Sequence, residues 1–174
     1  YPASFMLVAS MNPCPCGYYN HPEKDCVCSP GVVKKYLSKI SGPLLDRIDL
    51  HVEVTPVSFN ELSNIKVGES SNDIRERVIT ARKIQEKRFA ATEGIHSNAQ
   101  VSPKMLKKIC EIDQAGKDLL KKAMDKLGLS ARAYDRILKV ARTIADLEGT
   151  ENIQTNHLAE AIQYRSLDRE GWAG

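Results

Sequence analysis

No stretch of this sequence stays apolar for the roughly 20 residues that a membrane-spanning helix needs. None reads as a secretory leader either, because the opening Tyr1-Pro2-Ala3-Ser4 has no basic region and no cleavage site. There is no internal repeat and no low-complexity tract. No charge sign dominates: the net charge of +3 is too small to establish a nucleic-acid partner. Five cysteines without a secretory signal argue against a disulfide framework, since the cytosol keeps thiols reduced, and a cytoplasmic location is the expectation. An initiator methionine is missing, which suggests a piece cut from a longer protein. What is present is 174 residues with 42 % apolar content, enough to support an ordinary core in one domain or two small ones.

Two segments read as strands. Phe5 to Ala9 is a continuous apolar run, as expected of a strand covered on both faces. Ile48 to Val54 alternates apolar and polar residues. Between them, Ser29 can cap a helix whose first position is Pro30. Strand, helix, strand implies a parallel pair with a right-handed crossover, a remnant of a larger α/β domain because two parallel strands do not make a stable sheet alone. Its uncovered apolar face is expected to drive self-association. Residues 56–71 read as a linker with one helical turn at Phe59-Asn60-Glu61-Leu62. From there the pattern is all helix. The helices are predicted over Asn72 to about Ala91, with Ile74, Val78, Ala81 and Ile84 on one side; from Ser102-Pro103; over Gln114 to Leu127, stopped by Gly128; from Ser130 to Gly149, with Tyr134, Ile137, Leu138, Ala141, Ile144 and Ala145 at helical spacing; and from Thr155 to about Tyr164. Gly94 to Gln100 reads as a polar loop. Cys110 reads as a small buried hydrophobe. The fold class is therefore mainly α with a small α/β remnant.

Three side chains stand where phosphate chemistry would want them. Asn12, at the end of the first predicted strand, lies where open α/β sheets bind ligands; its amide can orient a water or touch a phosphate oxygen, or it can be a turn residue before Pro13. Arg47, between a helix end and a strand start, can enter a neighbouring subunit's site as an arginine finger, worth roughly 10³ to 10⁵ in rate, or pair with Asp46 or Asp49. Arg132 sits in the first turn of a helix, where the helix dipole disfavours a cation. A phosphate docked there would be met by both the free N–H groups and Arg132; otherwise the side chain reaches sideways into water.

Cys14, Cys16, Cys26 and Cys28 form two Cys-x-Cys pairs separated by nine residues. Four thiolates can close a tetrahedral zinc site, with His21 able to replace one ligand; free thiols and oxidised pairs are the alternatives. Residues 71–92 carry six basic against three acidic side chains, and residues 104–126 seven Lys against four acids. Solvated helix faces explain such charge by default, and binding to a phosphate backbone is the second explanation.

The segments Met11-Asn12-Pro13-Cys14-Pro15-Cys16-Gly17, Ser41 to Val52 and Ser130 to Leu138, in this order, resemble the magnesium-chelatase-like AAA+ ATPases, in particular their ComM/YifB branch. The resemblance runs over essentially the whole chain. It implies the end of an AAA+ core over residues 1–55, a linker over 56–71 and an α-helical lid over 72–174. It implies sensor 1 at Asn12, the arginine finger at Arg47 and sensor 2 at Arg132. It also implies ATP and Mg²⁺ in the longer protein and a homo-oligomeric ring, a hexamer. The ComM branch is linked to DNA branch migration in recombination and transformation, the chelatase branch to magnesium insertion into protoporphyrin; a DNA role is the expectation. The sequence departs from the family in having no G-x-x-x-x-G-K-[ST] loop and no strand ending in paired acids, so this chain alone is not expected to hydrolyse ATP. The other readings are a magnesium-chelatase subunit, a helical nucleic-acid or partner-binding module without ATP chemistry, and a zinc-stapled structural adaptor.

Overall fold

The computed structural model describes residues 5–57 and 68–165. Among them are seven α-helices and no strand: α1 (Pro30–Leu37), α2 (Gly42–Leu45), α3 (Ser71–Phe89), α4 (Pro103–Ile109), α5 (Gln114–Leu127), α6 (Ala131–Leu147) and α7 (Thr155–Gln163), with a 3-10 turn at Asn98–Gln100 before α4. No described helix is long and apolar enough to cross a membrane. The chain gathers into two compact units, one within the first 41 residues and one from Gly42 onward. The turn expected at Phe59 to Leu62, with most of the linker, lies outside the described residues.

The two strands expected from the sequence do not form. Phe5, Met6, Leu7 and Val8 are 63–87 % exposed, and Val52 and Val54 are likewise at the surface. A strand exists through its ladder partners, and a lone parallel pair leaves most ladder groups and both faces unsupported. Neither segment has a ladder partner among the described residues. Residues 46–51 bind helix ends instead, as described below.

In the first unit, α1 begins at Pro30, whose missing N–H costs nothing in the first turn. Ser29 occupies the N-cap position, but its side chain makes no cap hydrogen bond. Val33 and Leu37, one turn apart, are buried with Cys14. Tyr19, Tyr36 and the other three clustered cysteines pack around them.

The second unit is built on α6. Its buried face runs through Ala133, Ile137, Leu138, Ala141, Ile144 and Ala145, as the helical spacing predicts except that Ala133 is buried where Tyr134 is only partly so. α7, α3 and α4 pack on it, and α5 packs on α7. Burying residues such as Ile137 and Leu158 stabilises the unit by about 1.5–3 kcal/mol each. Gly116 marks the tightest point of the α5–α7 contact: a Cβ there would come within 2.8 Å of Leu158 Cδ1. Capping sets the helix starts. Ser70, Ser102, Asp113 and Ser130 each accept a hydrogen bond from the backbone N–H three residues on. Gly128 stops α5 in the left-handed region at φ 62°.

Three expectations are corrected in this unit. α3 buries Ala81, Gln85 and Phe89, while Ile74 and Val78 are 42 % exposed; only its second half meets the core. Asn98, within the expected polar loop, is buried in the 3-10 turn. Gln154, not Thr155, is the N-cap of α7, its backbone N–H donating to His157 Nδ1 at 3.0 Å. Cys110 is buried immediately after α4, its thiol near the Leu138 carbonyl at 3.6 Å. That burial pushes the thiol up to about 12.

Candidate functional site

Asn12 is exposed in the first unit, two residues before a turn closed by Gly17 N–H to the Cys14 carbonyl at 3.0 Å. A Cβ on Gly17 would lie 4.0 Å from the Asn12 amide nitrogen, so the amide rests beside that turn. Asn12 therefore precedes the turn rather than forming it.

Arg47 and Arg132 both belong to the second unit and both are exposed. α2 ends in a run of tight backbone bonds, with Arg47 N–H on the Leu44 carbonyl at 2.9 Å. The Arg47 guanidinium donates from Nη1 to the Pro43 carbonyl at 2.6 Å. The carboxylates that the sequence offers as partners are directed elsewhere: Asp49 pairs with Arg136, and Asp46 lies 4.0 Å from Arg165. Arg132 follows the Ser130 cap, which accepts the Ala133 N–H at 3.2 Å, so it stands in the first turn of α6 as read from the sequence.

The two arginines are carried by segments that are tied together. The Asp49–Arg136 pair links the residue two past Arg47 to the residue one turn past Arg132. Arg165 donates to the Ile48 carbonyl, and His51 N–H donates to the Tyr164 carbonyl at 2.8 Å. The segment that carries Arg47 is thus held against the start of α6 and the end of α7. Two shallow hollows of the second unit, one lined by Glu86, Phe89 and His96 and the other by Ile112, Met124 and Tyr134, include neither arginine.

The four clustered cysteines converge. Cys14 and Cys16 sulfurs are 3.3 Å apart, Cys14 and Cys26 3.7 Å, and Cys16 and Cys26 3.6 Å; all four lie within 4.8 Å of one another, none in a disulfide. Cys14 is fully buried. The Tyr18 backbone N–H leads in pulling Cys16 down to about 6. Cys26 moves the other way, to about 12: the Cys28 amide favours its thiolate, but burial and the Cys16 and Cys14 sulfurs outweigh it. His21 does not join: its Nδ1 accepts the Glu23 and Lys24 N–H groups at 3.0 and 3.1 Å.

One charged constellation was not visible in the sequence. Asp146, 1 % exposed, accepts from Arg88 Nη1 at 2.7 Å, Asn98 Nδ2 at 2.8 Å and Arg142 Nε at 3.1 Å. Arg142, also buried, donates from Nη1 to the Glu151 carbonyl at 2.6 Å and from Nη2 to the Thr150 carbonyl at 2.7 Å. Burial leads in lowering Arg142 from its ordinary value, against the pull of Asp146. This network joins α3, the 3-10 turn and α6, and every member is occupied by its neighbours, which makes it structural. The only available signal was that Arg142 and Asp146 adjoin apolar positions of α6.

Residues 1–62 match the family model described as magnesium chelatase, subunit ChlI, and residues 68–165 the model described as magnesium chelatase, subunit ChlI C-terminal. The chain belongs to this magnesium-chelatase family. It is 44 % identical over 170 residues to "Competence protein ComM" of Haemophilus influenzae, across 97 % of this chain and 32 % of that protein. It is 41 % identical over 172 residues to "Uncharacterized protein YifB" of Escherichia coli, again across 97 % and 32 %. A Mycobacterium tuberculosis protein matches at 38 % over 165 residues, across 95 % and 32 %. The chain spans about a third of the length of these relatives.

Proposed function

We propose that this chain is the nucleotide-sensing and lid portion of an ATP-dependent AAA+ ring motor that acts on DNA in recombination or transformation. The observation that carries this reading is that Arg47 and Arg132 are both exposed on one compact unit, their segments joined by the Asp49–Arg136 pair. Family membership supports the ATPase part. The printed name of the ComM relative, a competence protein, supports the DNA part, as do the exposed Arg75, Arg82, Lys83 and Lys87 of α3.

The chemistry follows from charge. Phosphoryl transfer spreads negative charge over the γ-phosphate oxygens, and a fixed guanidinium beside them lowers the barrier. Arg47 serves as the finger, reaching nucleotide held by the next subunit, which requires a homo-oligomeric ring, a hexamer in this reading. Arg132, at a helix start whose free N–H groups also favour anions, serves as sensor 2. Asn12 serves as sensor 1, its amide orienting water or a phosphate oxygen without adding charge. These residues fit contacts to ATP phosphates. They do not fit the nucleotide's Mg²⁺, since this chain has no phosphate-cradling loop and no paired acids at a strand end; both are assigned to the remainder of the longer protein. Residues 1–55 then close the ATPase core, 56–71 link, and 72–174 form the lid.

The test is Arg47→Ala in the full-length protein. Nucleotide binding is expected to persist while hydrolysis falls by roughly 10³-fold or more. Undiminished hydrolysis would refute the finger assignment. Hydrolysis indifferent to added DNA at low salt would refute the DNA role and favour the chelatase-subunit alternative, whose name the family description carries.

A further inference from the structure

We propose that Cys14, Cys16, Cys26 and Cys28 hold one zinc ion as a tetrahedral four-thiolate site, and that this ion is the principal staple of the first unit. The geometry points to a metal more strongly than the sequence spacing does. Four sulfurs around a tetrahedral zinc, at a Zn–S distance of about 2.3 Å, stand about 3.8 Å apart. Three pairs here are 3.3, 3.6 and 3.7 Å apart, and the fourth sulfur completes a set within 4.8 Å. A disulfide would bring two sulfurs to about 2.05 Å, and no pair is bonded. Sulfurs this close enclose room for a single ion.

The surroundings suit a thiolate site. The turn that carries the first pair is closed by the Gly17 N–H on the Cys14 carbonyl at 3.0 Å, and Cys14 itself is fully buried. Four thiolates and a divalent cation carry net negative charge, and the chain passes from Cys28 into the N-terminus of α1 two residues later, the helix end that favours negative charge. On binding, each thiol still protonated gives its proton to solvent; no oxidation state changes.

The unit also needs a staple. Among the described residues its buried apolar set is Cys14, Val33 and Leu37, and the loop between the cysteine pairs is polar. A core this small does not order such a loop by burial alone, whereas a structural metal contributes its binding energy directly to folding. The ion would also fix the turn on which the Asn12 amide rests. That last consequence rests on the sensor reading, but the metal site does not.

The test is metal content and thiol reactivity of the purified 174-residue chain. One zinc per chain is expected. Cobalt(II) substituted for it is expected to give the intense thiolate charge-transfer and tetrahedral ligand-field absorption. In the loaded chain the four clustered thiols should resist a disulfide-exchange reagent until a chelator is added, with Cys110 unreactive in both states. Cys14→Ser and Cys28→Ser should each abolish stoichiometric binding; since either variant can misfold, the wild-type thiol-protection result stands as the independent readout. Four reactive thiols in the presence of excess zinc, purification with iron instead, or disulfides formed under reducing conditions would each overturn the proposal. A zinc-loaded chain whose longer parent hydrolyses ATP normally without Asn12 would leave the metal site intact and refute only its link to Asn12.

Discussion

The two units of this chain are ordered by different physics. The helical unit buries a continuous apolar cluster from Phe89 through Ala161 and can bury Asp146 and Arg142 within it, because each charge is met by partners in fixed geometry. The cysteine unit buries little that is apolar among its described residues, leaves Phe5 to Val8 at the surface, and gathers four thiols. Where a core is large, polar groups are held by packing. Where it is small, cross-links of another kind must do the ordering.

The contrast can be broken most severely by removing the zinc proposed above. A chelator should abolish amide protection across residues 14–37 while leaving α5–α7 protected, as hydrogen exchange would show; equal loss in both units would erase the distinction. Asp146→Ala comes next. It strands the buried guanidinium of Arg142 and strips Arg88 of its carboxylate, and should destabilise the helical unit by about 3–5 kcal/mol in denaturant titration. A loss below about 1 kcal/mol would mean that water reaches these cations. The smallest expected effect is Gly116→Ala. The new methyl meets Leu158, itself fully buried, and the Asp113 cap oxygen at 3.1 Å. Overpacking of this kind costs about 1–3 kcal/mol, offset by the roughly 1 kcal/mol that alanine gains over glycine in a helix. A small net loss is expected, and a stabilised variant would show that the α5–α7 contact can open freely.

The helical unit was largely legible because its signals are local. Gln114–Leu127 is bounded by an aspartate cap and a left-handed glycine, both chain neighbours of the helix. The α6 stripe repeats at the helical period. Apart from the caps of α1 and α7, where Ser29 makes no cap bond and Gln154 replaces Thr155, the failures are non-local. Phe5–Ala9 has the composition of a strand, but a strand requires a partner that no window of sequence contains. α3 shows Ile74 and Val78 on an apolar stripe, yet which part of a long helix meets the core is decided by where α6 lies, and it selects Ala81, Gln85 and Phe89. The Asp146 network draws on residues up to 58 positions apart. Arg47 and Arg132 were legible as exposed boundary residues, but the Asp49–Arg136 pair that links their segments was not, since the sequence offered Asp49 to Arg47 first.

The most direct test of the proposed motor mixes two variants of the full-length protein in one ring. One carries Arg47→Ala with its nucleotide site intact; the other keeps Arg47 but cannot bind nucleotide. Each alone should be inactive, and together they should regain part of the ATP hydrolysis, because Arg47 of one subunit completes the site of its neighbour. Mixed rings as inactive as either parent would contradict a finger acting between subunits, and with it the account of how this chain serves the ATPase.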